Sequence, residues 1–119
     1  MKDTLVFGAS LKPNRYSNIA IKRLKDKGIT TRAYGLQVGV VNGVEISTNL
    51  IDIQNIHTIT LYVGPKRQPE YYAAIINLEP IRVIFNPGTE NPEFYQLLKE
   101  KGISVEVACT LVLLATNQY

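Results

Sequence analysis

The segment Thr4-Leu-Val-Phe-Gly-Ala-Ser-Leu-Lys-Pro-Asn-Arg-Tyr-Ser17 constrains the fold more than any other part of this chain. Leu5, Val6 and Phe7 form the short apolar run of a strand covered on both faces, and Gly8-Ala9-Ser10 follows with almost no side-chain bulk. Ser17 stands where a helix N-cap would, ahead of Asn18 to Lys27; Tyr16, Ala20 and Leu24 recur at helical spacing with Ile21 beside them. Gly28 is placed to end that helix. Ile29-Thr30-Thr31-Arg32-Ala33-Tyr34 then reads as a second strand from its β-branched residues. Strand, helix and strand in succession make a right-handed crossover with two parallel strands.

The same alternation continues. His57 to Val63 reads as a third strand stopped by Gly64-Pro65, and Pro69 opens a helix that runs to Leu78 and breaks at Glu79-Pro80. Ile81 to Phe85 is a fourth strand leading into Asn86-Pro87-Gly88-Thr89. Asn91-Pro92-Glu93 combines a cap, a first-turn proline and an acid at a helix start, and Phe94, Leu97 and Leu98 share one face of that helix. Ile103 to Val107 is a fifth strand, and Ala108 to Ala115 a final apolar helix. Leu36 to Asn55 is the least regular stretch, with Val44-Glu45-Ile46 a short extended piece.

A chain of 119 residues with 45% hydrophobic content suits one domain, residues 1–119, around one core. The expected class is α/β: a Rossmann-like, doubly wound parallel sheet of about five strands, three-layer α/β/α, in the order 3-2-1-4-5. Ligands of such sheets bind beyond the carboxyl ends of the strands, where the order switches. That places Gly8-Ala9-Ser10 and Asn86-Pro87-Gly88-Thr89 on one crevice between the first and fourth strands.

The chemistry at the first turn favours an anion. Free N–H groups and the positive end of the helix dipole face the turn, and Lys12 and Arg15 lie in the same loop. Strand-glycine-helix junctions also occur as plain structural turns, and the full glycine fingerprint of dinucleotide folds is absent. A purely structural turn, however, has no need of the guanidinium of Arg15. The second strand ends in Tyr34-Gly35 without the carboxylate that holds ribose hydroxyls in NAD sites. Lys66 and Arg67 read as a solvated charged loop in preference to a ligand contact.

Several function classes lose support. The net charge of +3 comes from basic residues concentrated in the first third, but no aromatics alternate with them as an RNA-reading sheet needs, so no nucleic-acid partner is expected. One histidine, His57 at the amino end of the third strand, and one cysteine, Cys109, cannot assemble a standard zinc site or a Cys–His pair. Cys109 reads as a buried small apolar residue near the start of the last helix, and its position beyond the fifth strand leaves open a place near the crevice. The carboxylates have no acid/base spacing, and the absence of GxxxxGK[ST] argues against nucleotide hydrolysis. No catalytic or metal-binding set is nominated. A lone cysteine, a start at Met1-Lys2-Asp3 without a signal-peptide pattern, and no membrane-length apolar run lead to the expectation of a cytoplasmic protein without a membrane partner.

Val6-Phe7-Gly8-Ala9-Ser10 with Pro13-Asn14-Arg15-Tyr16-Ser17, followed by Phe85-Asn86-Pro87-Gly88 and the fifth strand into Cys109, resembles the small stand-alone CoA-binding proteins. These are one-domain relatives of the CoA-binding domain in the succinyl-CoA synthetase α subunit. The resemblance covers nearly the whole chain and implies a Rossmann-like domain holding CoA or acyl-CoA, with the diphosphate on the first turn and pantetheine near the Pro-Gly turn. It implies phosphate contacts from Gly8, Ala9, Ser10, Arg15 and Ser17 and a second wall of Pro87 and Gly88, and the cofactor-binding set also takes in Pro13, Tyr16 and Tyr34. Tyr34-Gly35-Leu36-Gln37 stands where the family has a Val-Asn-Pro-like run, and Asn86-Pro87-Gly88 replaces the frequent Gln-Pro-Gly. The synthetase's phosphorylated histidine belongs to a second domain absent from this sequence, so ligase activity is not implied.

Three roles remain open at this point. The first is a non-catalytic CoA-binding module. The second is a small NAD(P)- or CoA-dependent oxidoreductase or transferase drawing a reactive group from Tyr62, Cys109 or a partner chain. The third is a scaffold with a vestigial crevice. A homo-oligomer or a partner enzyme is compatible with each.

Overall fold

The computed structural model describes residues 2–119. Among these residues seven strands form one sheet: β1 (Thr4–Ala9), β2 (Thr31–Gly35), β3 (Gly39–Val41), β4 (Val44–Ser47), β5 (Thr58–Leu61), β6 (Arg82–Phe85) and β7 (Ser104–Val107). Their order is β3-β4-β2-β1-β5-β6-β7, parallel throughout except for the β3–β4 hairpin. The helices are α1 (Tyr16–Asp26), α2 (Tyr72–Asn77), α3 (Pro92–Glu100) and α4 (Thr110–Ala115), with a 3-10 turn over Gln68–Tyr71 leading into α2.

The period-two alternation of β1 builds the three layers. Leu5 and Phe7 pack on one face of the sheet with Ile59, Phe85, Ile75 of α2 and Phe94 and Leu98 of α3. Val6 points to the other face and meets Ala33, Ile46, Ile21 and Leu24 of α1 and Leu114 of α4. Fully burying each of these larger side chains contributes about 1.5–3 kcal/mol. The two faces together hold the central strand in place.

Local signals end the helices where the sequence indicates. The Gly28 N–H donates to Lys25 O at 2.9 Å and the Ile29 N–H to Leu24 O at 3.1 Å, a paired closure that Gly28 permits with φ of +73°. Gly102 and Ile103 repeat it on α3, bonding Lys99 O and Leu98 O at 3.0 Å each. Asn91 caps α3 by accepting from the Phe94 N–H at 3.3 Å.

The Rossmann-like three-layer class holds, but the strand count and order differ from expectation. The irregular stretch contains the β3–β4 hairpin, turned by Asn42-Gly43 with φ of +49° and +82°. An Asn-Gly pair between Val40-Val41 and Val44-Glu45-Ile46 is a two-residue hairpin signal legible in the sequence. β4 takes the place beside β2, so the strand read as third, β5, pairs with β1 instead. With β4 counted, the parallel strands run 3-2-1-4-5-6, and the order switches between β1 and β5.

The expected N-cap at Ser17 is also corrected. Arg15 is the N-cap, because its carbonyl already accepts from the Asn18 and Ile19 N–H groups at 3.1 Å, which leaves Ser17 inside the first turn and buried. Tyr16 does not join the buried row of α1; it is 70% exposed.

Candidate functional site

At the carboxyl ends of β1, β2, β5 and β6 lies a cleft of about 470 Å³. One wall begins at Gly8, an extra residue that shifts the register between β1 and β2 from Phe7↔Tyr34 to Ala9↔Gly35. Its φ is +99°, and a Cβ there would stand 3.0 Å from the Tyr62 carbonyl carbon and 3.1 Å from Val63 Cγ2. Only glycine lets β1 bend this close to the end of β5.

The loop after Gly8 is tied down from within. Ser10 Oγ accepts from the Lys12 N–H at 3.1 Å, and the buried Asn18 donates from Nδ2 to Ser10 O at 2.9 Å. The Asn18 amide thereby anchors the loop to the first turn of α1. No side chain caps that helix, its first turn contains no acid, and the N–H groups of Tyr16 and Ser17 have no protein acceptor among the described residues. An uncapped helix start is a place for an acceptor from outside the chain.

The opposite wall comes from the ends of β5 and β6. Gln68, fully buried, donates from Nε2 to Val63 O at 2.9 Å and to Thr89 O at 2.7 Å, while its Oε1 accepts from Asn91 Nδ2 at 2.9 Å. Asn86, also buried, donates to Thr60 Oγ1 at 2.8 Å and Leu61 O at 3.0 Å and accepts from the Thr110 N–H at 2.9 Å. These two amides fasten the loops carrying Gly64 and Pro87-Gly88 to each other and to the sheet. Neither amide is legible as a wall-former in the sequence, since a polar residue in a loop ordinarily reads as solvated.

Of the residues expected at the site, Gly8, Ala9, Ser10, Arg15, Tyr16, Ser17, Tyr34, Pro87 and Gly88 line this cleft, together with Thr89. Pro13 does not; it sits exposed in the loop, outside the lining. Arg67, read from sequence as part of a solvated loop, does line the cleft, whereas its neighbour Lys66 does not. Lys12, Arg15 and Arg67 therefore face a lining that includes no carboxylate among the described residues. Arg15 is exposed and makes no ion pair or side-chain hydrogen bond among them.

The floor is aromatic. The Tyr34 ring lies 4.7 Å from Phe7, and Tyr71 meets both edge-on at 5.2 Å and 6.1 Å. Burial, reinforced by the neighbouring Tyr71, raises the pKa of the Tyr34 hydroxyl. Tyr62 contributes to the lining, but burial pushes its hydroxyl up to about 12, which removes it from acid/base exchange near neutrality. Cys109 lies outside the lining as the N-cap residue of α4. His57 is at the far end of β5, bonding Thr58 Oγ1 through Nδ1 at 2.8 Å. No group of three metal-ligating side chains occurs among the described residues, and no described helix is long and apolar enough to cross a membrane.

Comparison with known proteins places the chain by fold and family. The chain is similar to an uncharacterized protein of known crystal structure, with 42% identity, a TM-score of 0.96, and coverage of 100% of this chain and 98% of that one. A hypothetical protein from Pyrococcus horikoshii OT3 shares 30% identity over 93% of this chain and 80% of its own, with a TM-score of 0.83. A Thermus thermophilus protein at 24% identity shares the fold, with a TM-score of 0.86 over 99% of this chain and 91% of that one. Among curated proteins none matches. Residues 2–115 match the family described as CoA binding domain, and the chain belongs to that family.

Proposed function

We propose that the cleft binds CoA or acyl-CoA without catalysing its turnover, in the cytoplasm, with the diphosphate against Gly8-Ala9-Ser10 and the start of α1. The observation that carries this reading is the pairing of an uncapped helix N-terminus with a cleft whose lining holds Lys12, Arg15 and Arg67 and no carboxylate. Such a lining attracts a polyanion, and guanidinium groups meet phosphate oxygens with parallel donors. Gly8 supports the fit, because its φ of +99° and missing Cβ let β1 turn tightly against Tyr62 and Val63 and carry Ala9-Ser10 into the lining. Pro87 and Gly88, with little side-chain bulk in the lining, suit the thin pantetheine arm.

A nicotinamide enzyme is the less supported alternative. β2 ends at Tyr34-Gly35 without a carboxylate for ribose hydroxyls, and neither Tyr62 nor Cys109 offers a reactive group in the cleft. Isothermal titration with CoA and with NAD tests the choice. Heat with CoA and none with NAD is expected; binding of NAD alone would reverse the ranking.

A further inference from the structure

We infer that Arg67, carried on an aromatic column rooted in the core, forms a second anion subsite that reads a ribose phosphate monoester separate from the diphosphate. The inference rests on the CoA reading and adds a determinant of specificity to it. Arg67 stands on the wall opposite Arg15, at the start of the 3-10 turn after β5. Its Nη2 donates to the Tyr71 hydroxyl at 3.1 Å, and its guanidinium carbon lies 6.0 Å from the centre of the Tyr71 ring. Tyr71 in turn packs edge-on against Phe7, which is completely buried, and against Tyr34. The next residue, Gln68, is locked by its three amide bonds.

A flexible surface arginine spends its conformational freedom when it meets a ligand; this one is already held. Its carboxylate neighbour does little to neutralise it. Glu70 approaches only to 3.7 Å from Nε, and both side chains are at least half exposed, so the pair is screened by water. Nη1 has no partner among the described residues. An oriented guanidinium with free donors, across a cleft from the cations that take the diphosphate, matches a ligand carrying a third phosphate on its ribose. CoA has that group and dephospho-CoA lacks it; NADP and NAD differ in the same way at a neighbouring ribose oxygen.

Isothermal titration of wild type, Arg67→Ala, Tyr71→Phe and Arg15→Ala with CoA, dephospho-CoA, NADP and NAD tests the subsite. Wild type is expected to favour CoA over dephospho-CoA by about tenfold or more, the worth of one charge-assisted contact. Arg67→Ala should bring that ratio near one by weakening CoA alone, and Tyr71→Phe should reduce it in part. Arg15→Ala should weaken both CoA forms and leave the ratio intact. Equal wild-type affinity for CoA and dephospho-CoA, or a ratio that survives Arg67→Ala, would overturn the inference while leaving CoA binding standing. A preference for NADP over NAD that Arg67→Ala abolishes, with neither CoA form binding, would keep the subsite and overturn the CoA reading. Binding of none of the four ligands would overturn both.

Discussion

The Gln68 side-chain Oε1 accepts a hydrogen bond from Asn91 Nδ2 at 2.9 Å, which couples the loop after β5 to the cap of α3. Asn91 Nδ2 also donates to the Tyr72 hydroxyl at 2.8 Å, and its Oδ1 accepts from the Phe94 N–H. One pair of amides thus sets the separation of the β5 and β6 loops and the start of the helix behind them. The second wall of the cleft is held by the chain's own hydrogen bonds.

Gln68→Leu should therefore lower stability by about 2–4 kcal/mol, because it strands the Val63 and Thr89 carbonyls and the Asn91 amide in a buried place. Urea denaturation measures the loss. A variant as stable as wild type would show that water or a relaxed loop replaces the amide.

Gly8→Ala should cost about 1–3 kcal/mol from its backbone angle and the clash with Tyr62, and should also weaken CoA binding by shifting the turn. Gly88→Ala is the matched control. Its φ is +93° but a Cβ there meets nothing within 4 Å, so only the backbone contribution, about 1 kcal/mol, is expected. Thermal melts of the two variants separate close approach from conformational freedom.

Arg15→Ala should leave stability within about 0.5 kcal/mol of wild type, since the side chain is exposed and unpaired among the described residues. CoA binding should weaken by about 1–3 kcal/mol. The remaining affinity should depend less on salt, because one screened charge contact is gone. Titration at two ionic strengths reads both effects.

Tyr62 should ionise well above the ordinary phenol range because its hydroxyl is buried. Burial pushes it to about 12 against an ordinary value of 10. A folded pKa raised above the unfolded one means that its stabilising contribution is complete below pH 10 and is lost as pH rises through 12. Tyr62→Phe should remove a step near pH 12 from an absorbance titration of phenolate. Its hydroxyl oxygen is buried without a hydrogen-bond partner among the described residues, so the variant should be as stable as wild type or more so at neutral pH.

The ends of α1 and α3 at Gly28 and Gly102 and the start of α3 were legible in the sequence because their causes are local, whereas the start of α1 was misplaced by two residues. Asn91-Pro92-Glu93, Gly28 and Gly102 each act within one turn of chain, and the structure places a cap or a closing pair of bonds at each. The strand runs were legible for the same reason, and so was the first turn, whose small residues lie within ten positions of Arg15. The Asn42-Gly43 hairpin carried a local signal too, although an irregular, glycine-containing neighbourhood obscured it.

What tertiary structure alone decided was which pieces meet. Whether β4 or β5 lies beside β2 depends on contacts between segments far apart in the chain, and no property of either strand states the choice. Gln68 and Arg67 are adjacent polar residues in one loop, yet the first is sealed inside by three bonds and the second faces the cleft on a tyrosine. The sequence determined the alphabet of elements and the small-residue first turn, since short-range sterics and hydrogen bonding govern both. The opposite wall, with its guanidinium, exists only once distant carbonyls and rings have converged on those two side chains, because burial is a property of the assembled neighbourhood and not of the residue.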